Sequence, residues 1–216
     1  MKKIILLLII GMVFFSCKKK QTIHITAKNA ATGEPYSGLT YYVVTHKNVL
    51  KPYGGKKAKT VATGTLDENG EAIVTKRLSK NNGHGVRVEE PENSCYNKNI
   101  QLYFSEEDGK NFKAEFEFAE CAYLKLSIHN VNYINDNDYL KLYYLGRQVG
   151  GQGENIVGAV IREGGGNYSY VGNDFSSVPM GERYYKWEVT RNNVTNIYYD
   201  TIYLNPGEYK TYEINY

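Results

Sequence analysis

Hydrophobic and polar residues alternate with a period of two along most of the chain. In the segment 22–28, Ile23, Ile25 and Ala27 fall on one face. The same alternation recurs in the segment 123–131. A period of two is that of a β-strand with one buried face, and no segment carries the sustained apolar stripe of an amphipathic helix. The pattern therefore predicts an all-β protein.

Clusters of Gly, Pro, Asn and Asp separate the alternating segments and mark turns between strands. Strands 60–66 and 71–78 should form a hairpin across Asn69-Gly70, because this dipeptide adopts positive φ at little cost. About seven short strands in roughly 100 residues indicate an antiparallel β-sandwich. The strands predicted for the first half are 22–28, 39–45, 60–66, 71–78, 85–90, 99–104 and 112–120.

The second half also reads as alternating strands and turns, and no Pro-, Gly- or Ser-rich linker precedes it, although the two halves show no convincing sequence repeat. We predict two tandem antiparallel β-sandwich domains of the Ig-like or transthyretin-like kind, at 22–121 and 122–216, with the second rich in tyrosine. The strands predicted here are 123–131, 139–145, 155–162, 168–172, 183–191, 194–204 and 209–216.

The N-terminus has the parts of a secretory signal. Lys2 and Lys3 precede an apolar run, 4–15, which is too short to span a bilayer and ends at Ser16 and Cys17. The stretch from Phe14 to Cys17 resembles the lipobox of bacterial lipoproteins of the Bacteroidota type. The resemblance implies that residues 1–16 are removed and that Cys17 carries diacylglycerol and a further acyl chain such as palmitate. Residues 17–21 would then form a short lipid-anchored tether. The alternative is an ordinary signal peptide with an incidental cysteine.

Two turn motifs of the first half suggest a family. Thr32-Gly33-Glu34-Pro35 follows the first strand, and Asp67-Glu68-Asn69-Gly70-Glu71 comes later. Together they resemble the carboxypeptidase-regulatory-like or transthyretin-like β-sandwich over 22–120 at most. The resemblance implies a non-catalytic spacer, plug or adhesion module with no shared catalytic residues.

Once Cys17 is lipidated, Cys95 and Cys121 remain, and an oxidising compartment favours one disulfide between them. If 99–104 and 112–118 form an antiparallel hairpin that pairs Phe104 with Phe112, the same register sets Cys95 opposite Cys121. The alternative is two buried free thiols.

The charge and motifs exclude several functions. The formal net charge of +3 falls to about +1 when Lys2 and Lys3 are cleaved off, so no strong basic field favours nucleic acid. The sequence holds no recognisable catalytic motif and no His or Cys cluster at metal-ligand spacing. We therefore predict no enzyme, no cofactor and no metal. The run Asn135-Asp136-Asn137-Asp138 has calcium-like oxygen ligands, but a solvated turn is the preferred interpretation.

Tyrosine is abundant, with 21 residues, of which fifteen lie after Cys121. If Asn192 and Asn193 form a two-residue turn, Trp187 opposes Tyr198 and Tyr185 opposes Asp200. We predict a ligand-binding platform of Trp187, Tyr185 and Tyr198, because sheets present such rings to sugars and to proteins. The alternative is that these aromatic pairs only stabilise the sheet.

Together these patterns predict a non-enzymatic lipoprotein held by its N-terminal lipid in the outer membrane. We expect it to face the periplasm, with surface exposure left open, and to act as a protein-binding or scaffold module in the cell envelope. Two alternatives remain: a glycan-binding lipoprotein that uses the Tyr/Trp face of the second domain, and a fimbrial or adhesion subunit. The partners would be the membrane and an envelope protein or glycan.

Overall fold

The computed structural model describes residues 19–47, 58–79, 82–105, 110–147 and 158–216. The predicted signal peptide 1–16 and the acylation site Cys17 lie outside the described residues. Within the described ranges, no helix is long and apolar enough to span a membrane.

The described residues form β-strands joined by turns, as the period-two pattern predicts, so the all-β prediction is confirmed. The strands are β1 (Lys19–Asn29), β2 (Thr40–Lys47), β3 (Lys59–Thr65), β4 (Glu71–Leu78), β5 (Asn82–Val88), β6 (Ser94–Asn97), β7 (Leu102–Phe104), β8 (Asn111–His129), β9 (Tyr139–Arg147), β10 (Ala159–Gly165), β11 (Ser169–Val171), β12 (Ser176–Pro179), β13 (Gly181–Arg191), β14 (Val194–Leu204) and β15 (Tyr209–Asn215).

The chain divides into two compact units, and each unit is built from three separate segments of the sequence. The first unit contains 19–27, Pro35–Glu89 and Asn99–Phe116. The second contains Lys28–Glu34, Glu90–Lys98 and Glu117–Tyr216. The strand β8 therefore contributes residues to both units, where the pattern predicts two strands interrupted near residue 121.

The first unit has two sheets, one in the order β8-β1-β4 and the other in the order β3-β2-β5-β7. Alternate residues of both sheets are buried, including Ile23, Ile25, Val43, Val86 and Phe116. The sheets meet where Phe104 of β7 stacks on Phe112 of β8, with ring centroids 4.6 Å apart.

The predicted hairpin of 60–66 with 71–78 is wrong. β3 pairs with β2, whereas β4 pairs with β1, so the Asp67–Gly70 turn carries the chain from one sheet to the other. The Asp67 carboxylate closes the turn by accepting bonds from the backbone N–H groups of Asn69 and Glu71, both at 2.9 Å. Gly70 has a φ of 69°, and a Cβ there would lie 2.5 Å from the Ala27 carbonyl oxygen. The turn thus needs glycine for this crossing and not for a hairpin.

The first strand begins earlier than predicted. β1 starts at Lys19 and pairs with β4 from Leu78 onward, so 19–21 belong to a strand and not to a free tether. Gln21 is buried, and its Nε2 donates to the Ser105 carbonyl oxygen at 3.3 Å. This side-chain bond and the ladder with β4 hold the segment in the sheet.

The second unit places the sheet β10-β9-β13-β14 against the strands β6, β11, β12 and β15, which all pair with β8. β6, β11 and β12 run antiparallel to β8. β15 runs parallel to β8, so the prediction of a purely antiparallel second domain is wrong. The core between them contains residues of both layers, including Leu124, Ile128, Leu140, Leu142, Tyr185, Val189, Leu204, Tyr212 and Ile214.

A disulfide joins Cys95 to Cys121, which confirms the predicted pairing; their Cα atoms are 4.8 Å apart. The predicted hairpin behind it is wrong, because β7 pairs with β5 in the other sheet of the first unit. The strand opposite β8 is β6, with a bulge between Ser94 and Tyr96. The Cys121 N–H donates to the Asn93 carbonyl oxygen at 2.9 Å, which aligns the two cysteines at the end of β6.

Candidate functional site: the tyrosine-rich sheet of the second unit

The hairpin of β13 and β14 is the frame of this sheet. Asn192 and Asn193 have φ angles of 48° and 62°, as a two-residue type I′ turn requires. The turn sets Trp187 opposite Tyr198 and Tyr185 opposite Asp200, so the predicted register is confirmed.

The inner face of the sheet carries Tyr185, which belongs to the core. Its side chain is only 2% exposed, and its ring lies 4.9 Å from that of Tyr212 and 5.8 Å from that of Tyr144. Tyr185 therefore cannot face a ligand, and the prediction that included it in the platform is corrected. Alternation identifies the residues that share a face, but not how far the opposite layer covers that face.

Trp187 and Tyr198 lie further along the same face, towards the turn. Their rings stack with centroids 5.7 Å apart and an angle of 16° between planes. Trp187 is partly buried against the core, whereas Tyr198 is 43% exposed. The ring of Tyr198 is therefore open to solvent on one side and packs against Trp187 on the other.

The outer face of the same sheet presents ordered tyrosines. The Tyr143 hydroxyl donates to Glu188 Oε2 at 3.0 Å, and Lys186 forms an ion pair with the same carboxylate. The Lys186 ammonium also lies 4.8 Å from the centroid of the Tyr143 ring. On the neighbouring edge, the Tyr139 hydroxyl donates to Glu163 Oε2 at 2.9 Å.

These contacts shift the titration of the groups involved. Burial and the hydrogen bond to Glu188 raise the pKa of Tyr143, and the hydrogen bond to Glu163 raises that of Tyr139. The contact with Lys186 lowers the pKa of Glu188, so the carboxylate stays ionised at neutral pH. The tyrosines therefore remain protonated donors, with their rings held in one orientation.

Apolar side chains complete this outer face. The register places Tyr199 beside Lys186 and Ile197 beside Glu188, and it places Val160 beside Tyr143. Tyr199 is 68% exposed, Ile197 52% and Val160 46%. We call Tyr139, Tyr143, Val160, Ile197 and Tyr199 the outer tyrosine surface. The sequence of β14 indicates this surface, because apolar and aromatic residues occupy both faces of the strand.

A second aromatic group lies on the other layer of this unit. Tyr123 of β8 and Tyr209 of β15 stack with centroids 4.3 Å apart, and the Phe175 ring meets Tyr209 edge-on at 5.2 Å. Tyr209 is exposed. This group is a cross-strand pair of neighbouring parallel strands and is smaller than the outer tyrosine surface.

The Asn135–Asp138 run is a turn held by its own side chains. Asp138 is buried and accepts bonds from the Ile134 N–H at 3.0 Å and from Arg191 Nε at 3.3 Å. Burial alone would raise the pKa of Asp138, but these bonds and one with Asn130 hold it below its ordinary value. Arg191 already supplies the positive charge beside Asp138 that a calcium ion would supply. This contact favours the turn over the calcium interpretation. In the described parts of the chain, no three His, Cys, Asp or Glu side chains cluster as a metal site would require.

No protein-family model matches the chain, and no curated protein matches it. Similar solved structures include the Bacillus anthracis TIE protein, with 16% identity, a TM-score of 0.36, and coverage of 91% of this chain and 33% of the other. The shaft pilin SpaA from Lactobacillus rhamnosus GG has 9% identity, a TM-score of 0.35, and coverage of 92% and 97%. GBS52, the minor pilin of Streptococcus agalactiae, has 11% identity, a TM-score of 0.34, and coverage of 90% and 94%. A likeness of this size supports no transfer of function to this chain.

Proposed function

We propose that this chain is a non-enzymatic lipoprotein of the outer membrane that binds a protein partner through the outer tyrosine surface. In this proposal Cys17 carries the lipid, the protein faces the periplasm, and the two units act as tandem β-sandwiches. The lipobox-like sequence supports the anchor, and the outer tyrosine surface supports the binding.

The observation that carries the proposal is the order of the tyrosines on an exposed sheet face. Tyr143 and Tyr139 are fixed by Glu188 and Glu163, while Tyr199 and Ile197 leave apolar area in water. Exposed apolar patches with ordered aromatic rings are typical of protein interfaces, because fixed rings lose little entropy on binding. Charged side chains between the rings give such a surface specificity for a partner of complementary charge.

The test is photo-crosslinking in the producing cell. A photoreactive phenylalanine at position 160 should yield an adduct with one envelope protein. The same residue at position 171 is the matched control, because Val160 and Val171 are 46% and 49% exposed and lie on different layers of the same unit. We expect no such adduct from position 171.

The adduct should also depend on the tyrosines. Tyr139→Ala with Tyr143→Ala should reduce the yield from position 160 at least about tenfold, as expected when hot-spot side chains are removed. Equal adducts from both positions, or a yield that does not respond to the tyrosine variants, would contradict the proposal.

A glycan is the second candidate ligand, and the exposed ring of Tyr198 supports it. Trp187 stacks behind this ring and is the only tryptophan of the chain, so its emission should report binding. For a glycan-binding protein, titration with envelope glycans should shift the emission, and Tyr198→Ala should weaken binding by about 1–3 kcal/mol, by analogy with base stacking on aromatic residues. If no glycan changes the Trp187 emission, the glycan candidate is rejected and protein binding remains the one proposed function.

A further inference from the structure

The strand β14 is an edge of its sheet. Among the strands that the structure describes, β13 is its one partner. In a two-residue hairpin the residues next to the turn form a hydrogen-bonded pair, so Val194 and every second residue after it bond to β13. The backbone N–H and C=O groups of the remaining residues therefore point outward from the edge of the sheet, away from β13. These residues include Thr195, Ile197, Tyr199 and Thr201. The Lys210 ammonium, which donates to the outward carbonyl of Tyr203 at 3.0 Å, agrees with this pattern.

The sequence of β14 contains none of the devices that usually prevent pairing, and only the outward carbonyl of Tyr203 is covered by a lysine, Lys210. Proteins protect edges with charged residues, bulges or short strands. Among the edges of the other two sheets, β7 has three residues, β4 carries Lys76 and Arg77, and β3 carries Lys59 and pairs through a bulge. On the opposite edge of its own sheet, β10 carries Arg162, Glu163 and a bulge. β14 runs for eleven residues without Lys, Arg, Glu, Pro or a bulge.

The one charge on β14 does not protect the edge. Asp200 Oδ2 accepts the Tyr212 hydroxyl on the inner face at 2.8 Å. Its Oδ1 accepts the Thr201 N–H, which is one of the outward donors and has no strand partner. Pairing with another strand would exchange this local bond for one in a ladder.

We propose that β14 pairs antiparallel with β14 of a second copy of this chain, with Tyr198 opposite the Tyr198 of the other copy. The two copies would then share one continuous sheet. The pairing uses the edge of β14, which includes Ile197 and Tyr199 of the outer tyrosine surface. It does not use Val160, which lies on β10 and is separated from β14 by β9 and β13. A crosslink from position 160 therefore reports the partner proposed above, whereas trapping through β14 reports the dimer.

The sequence of β14 is complementary to itself in this register. Asn196 lies opposite Asp200, so an amide donor meets the carboxylate, and Ile197 lies opposite Tyr199, an aliphatic–aromatic pair that stabilises sheets. A slide by one pair in one direction brings in Tyr203, whose carbonyl is already occupied by Lys210. A slide in the other direction sets Thr201 opposite the turn residue Asn193. The two-fold axis passes between the two Tyr198 residues, so both edges are used and the assembly stops at two copies.

The test is cysteine trapping in the full-length chain in its membrane. In the proposed register the two Tyr198 residues form a non-hydrogen-bonded pair. The Cα atoms of such a pair lie about 4.5 Å apart, which is within the range of a disulfide. Tyr198→Cys should therefore give a disulfide-linked dimer on mild oxidation. Asn196→Cys is the matched control, since it lies opposite Asp200 and should remain monomeric, as should the parent chain.

A second variant tests the ladder itself. Ile197→Pro removes an outward N–H but no bond to β13, and in the Tyr198→Cys background it should reduce the dimer at least about tenfold. Sedimentation of the detergent-extracted parent should show a dimer, and the Ile197→Pro variant a monomer. Monomeric Tyr198→Cys, equal trapping at positions 196 and 198, a dimer that survives Ile197→Pro, or trapping of a different protein by the Tyr198→Cys variant would each overturn the proposal. Loss of the Val160 adduct, with trapping intact, would refute only the proposed partner.

Discussion

The Tyr212 hydroxyl donates a hydrogen bond to Asp200 Oδ2 at 2.8 Å, and this bond links β15 to the edge strand β14. Tyr212 is 7% exposed, whereas Asp200 is exposed. Burial, followed by the contact with Asp200, raises the pKa of Tyr212 far above its ordinary value. The phenol therefore stays protonated in the folded protein at pH values at which an unfolded tyrosine ionises.

This shift predicts a loss of stability in alkali. An unfolded tyrosine ionises near pH 10, whereas folded Tyr212 does not, so its contribution to the free energy of unfolding is complete below pH 10 and declines above it. Tyr212→Phe should make the decline between about pH 10 and 11.5 shallower, without abolishing it, because burial also raises the pKa of Tyr216 to about 12. Urea unfolding followed by Trp187 fluorescence measures both slopes. A Tyr209→Phe variant, changed at an exposed ring, should decline like the parent.

The disulfide between Cys95 and Cys121 should stabilise the second unit, which contains both cysteines. It closes a loop with a sequence separation of 26, for which chain entropy gives roughly 2–4 kcal/mol. Urea unfolding of the Cys95→Ala/Cys121→Ala variant should show this loss relative to the parent, and reductant should lower the parent to the same value. An unchanged unfolding midpoint in reductant would show that the bond adds nothing to stability.

Tyr185 and Tyr199 should respond in opposite ways to truncation, because one is buried and the other exposed. Tyr185→Ala removes a ring from the core and should cost about 3–5 kcal/mol of unfolding free energy. Tyr199→Ala should change it by no more than about 0.5 kcal/mol. Chemical denaturation of the two variants compares them directly. Similar costs at both positions would mean that the sheet's faces are assigned incorrectly.

The lipid anchor predicted at Cys17 can be tested by metabolic labelling with an azido fatty acid. Cys17→Ser should abolish the label, because only the thiol accepts the diacylglyceryl group. The Cys95→Ser/Cys121→Ser variant should keep it. Equal labelling of Cys17→Ser and the parent would remove the anchor from the proposed function.

Much of the second unit could be predicted because its signals are local. The bounds of β14 and the pairing of Trp187 with Tyr198 follow from alternation on both sides of Asn192-Asn193. A two-residue turn fixes the register of the strands next to it, so no distant contact is needed.

The failed predictions concern contacts between segments that are distant in the sequence. Asp67–Gly70 has the chemistry of a hairpin turn, yet it joins two sheets, since turn residues do not specify the partner of the strand that follows. The cysteines pair as predicted, although β6 and not the segment 99–104 lies beside β8. Tyr185 is buried because Tyr212 and Tyr144 cover it, and neither is near it in the sequence.

The division of β8 between the units has a consequence for how the protein is made. The second unit needs Lys28–Glu34 from near the start of the chain and also β15 from its end. On the ribosome it cannot be completed until β15 has been synthesised, whereas the first unit is complete in sequence at Phe116. Contacts between such distant positions give a high contact order, which slows folding. A fragment cut at the predicted boundary, 122–216, would lack Lys28–Glu34, Glu90–Lys98 and the first five residues of the third segment, and should not fold independently.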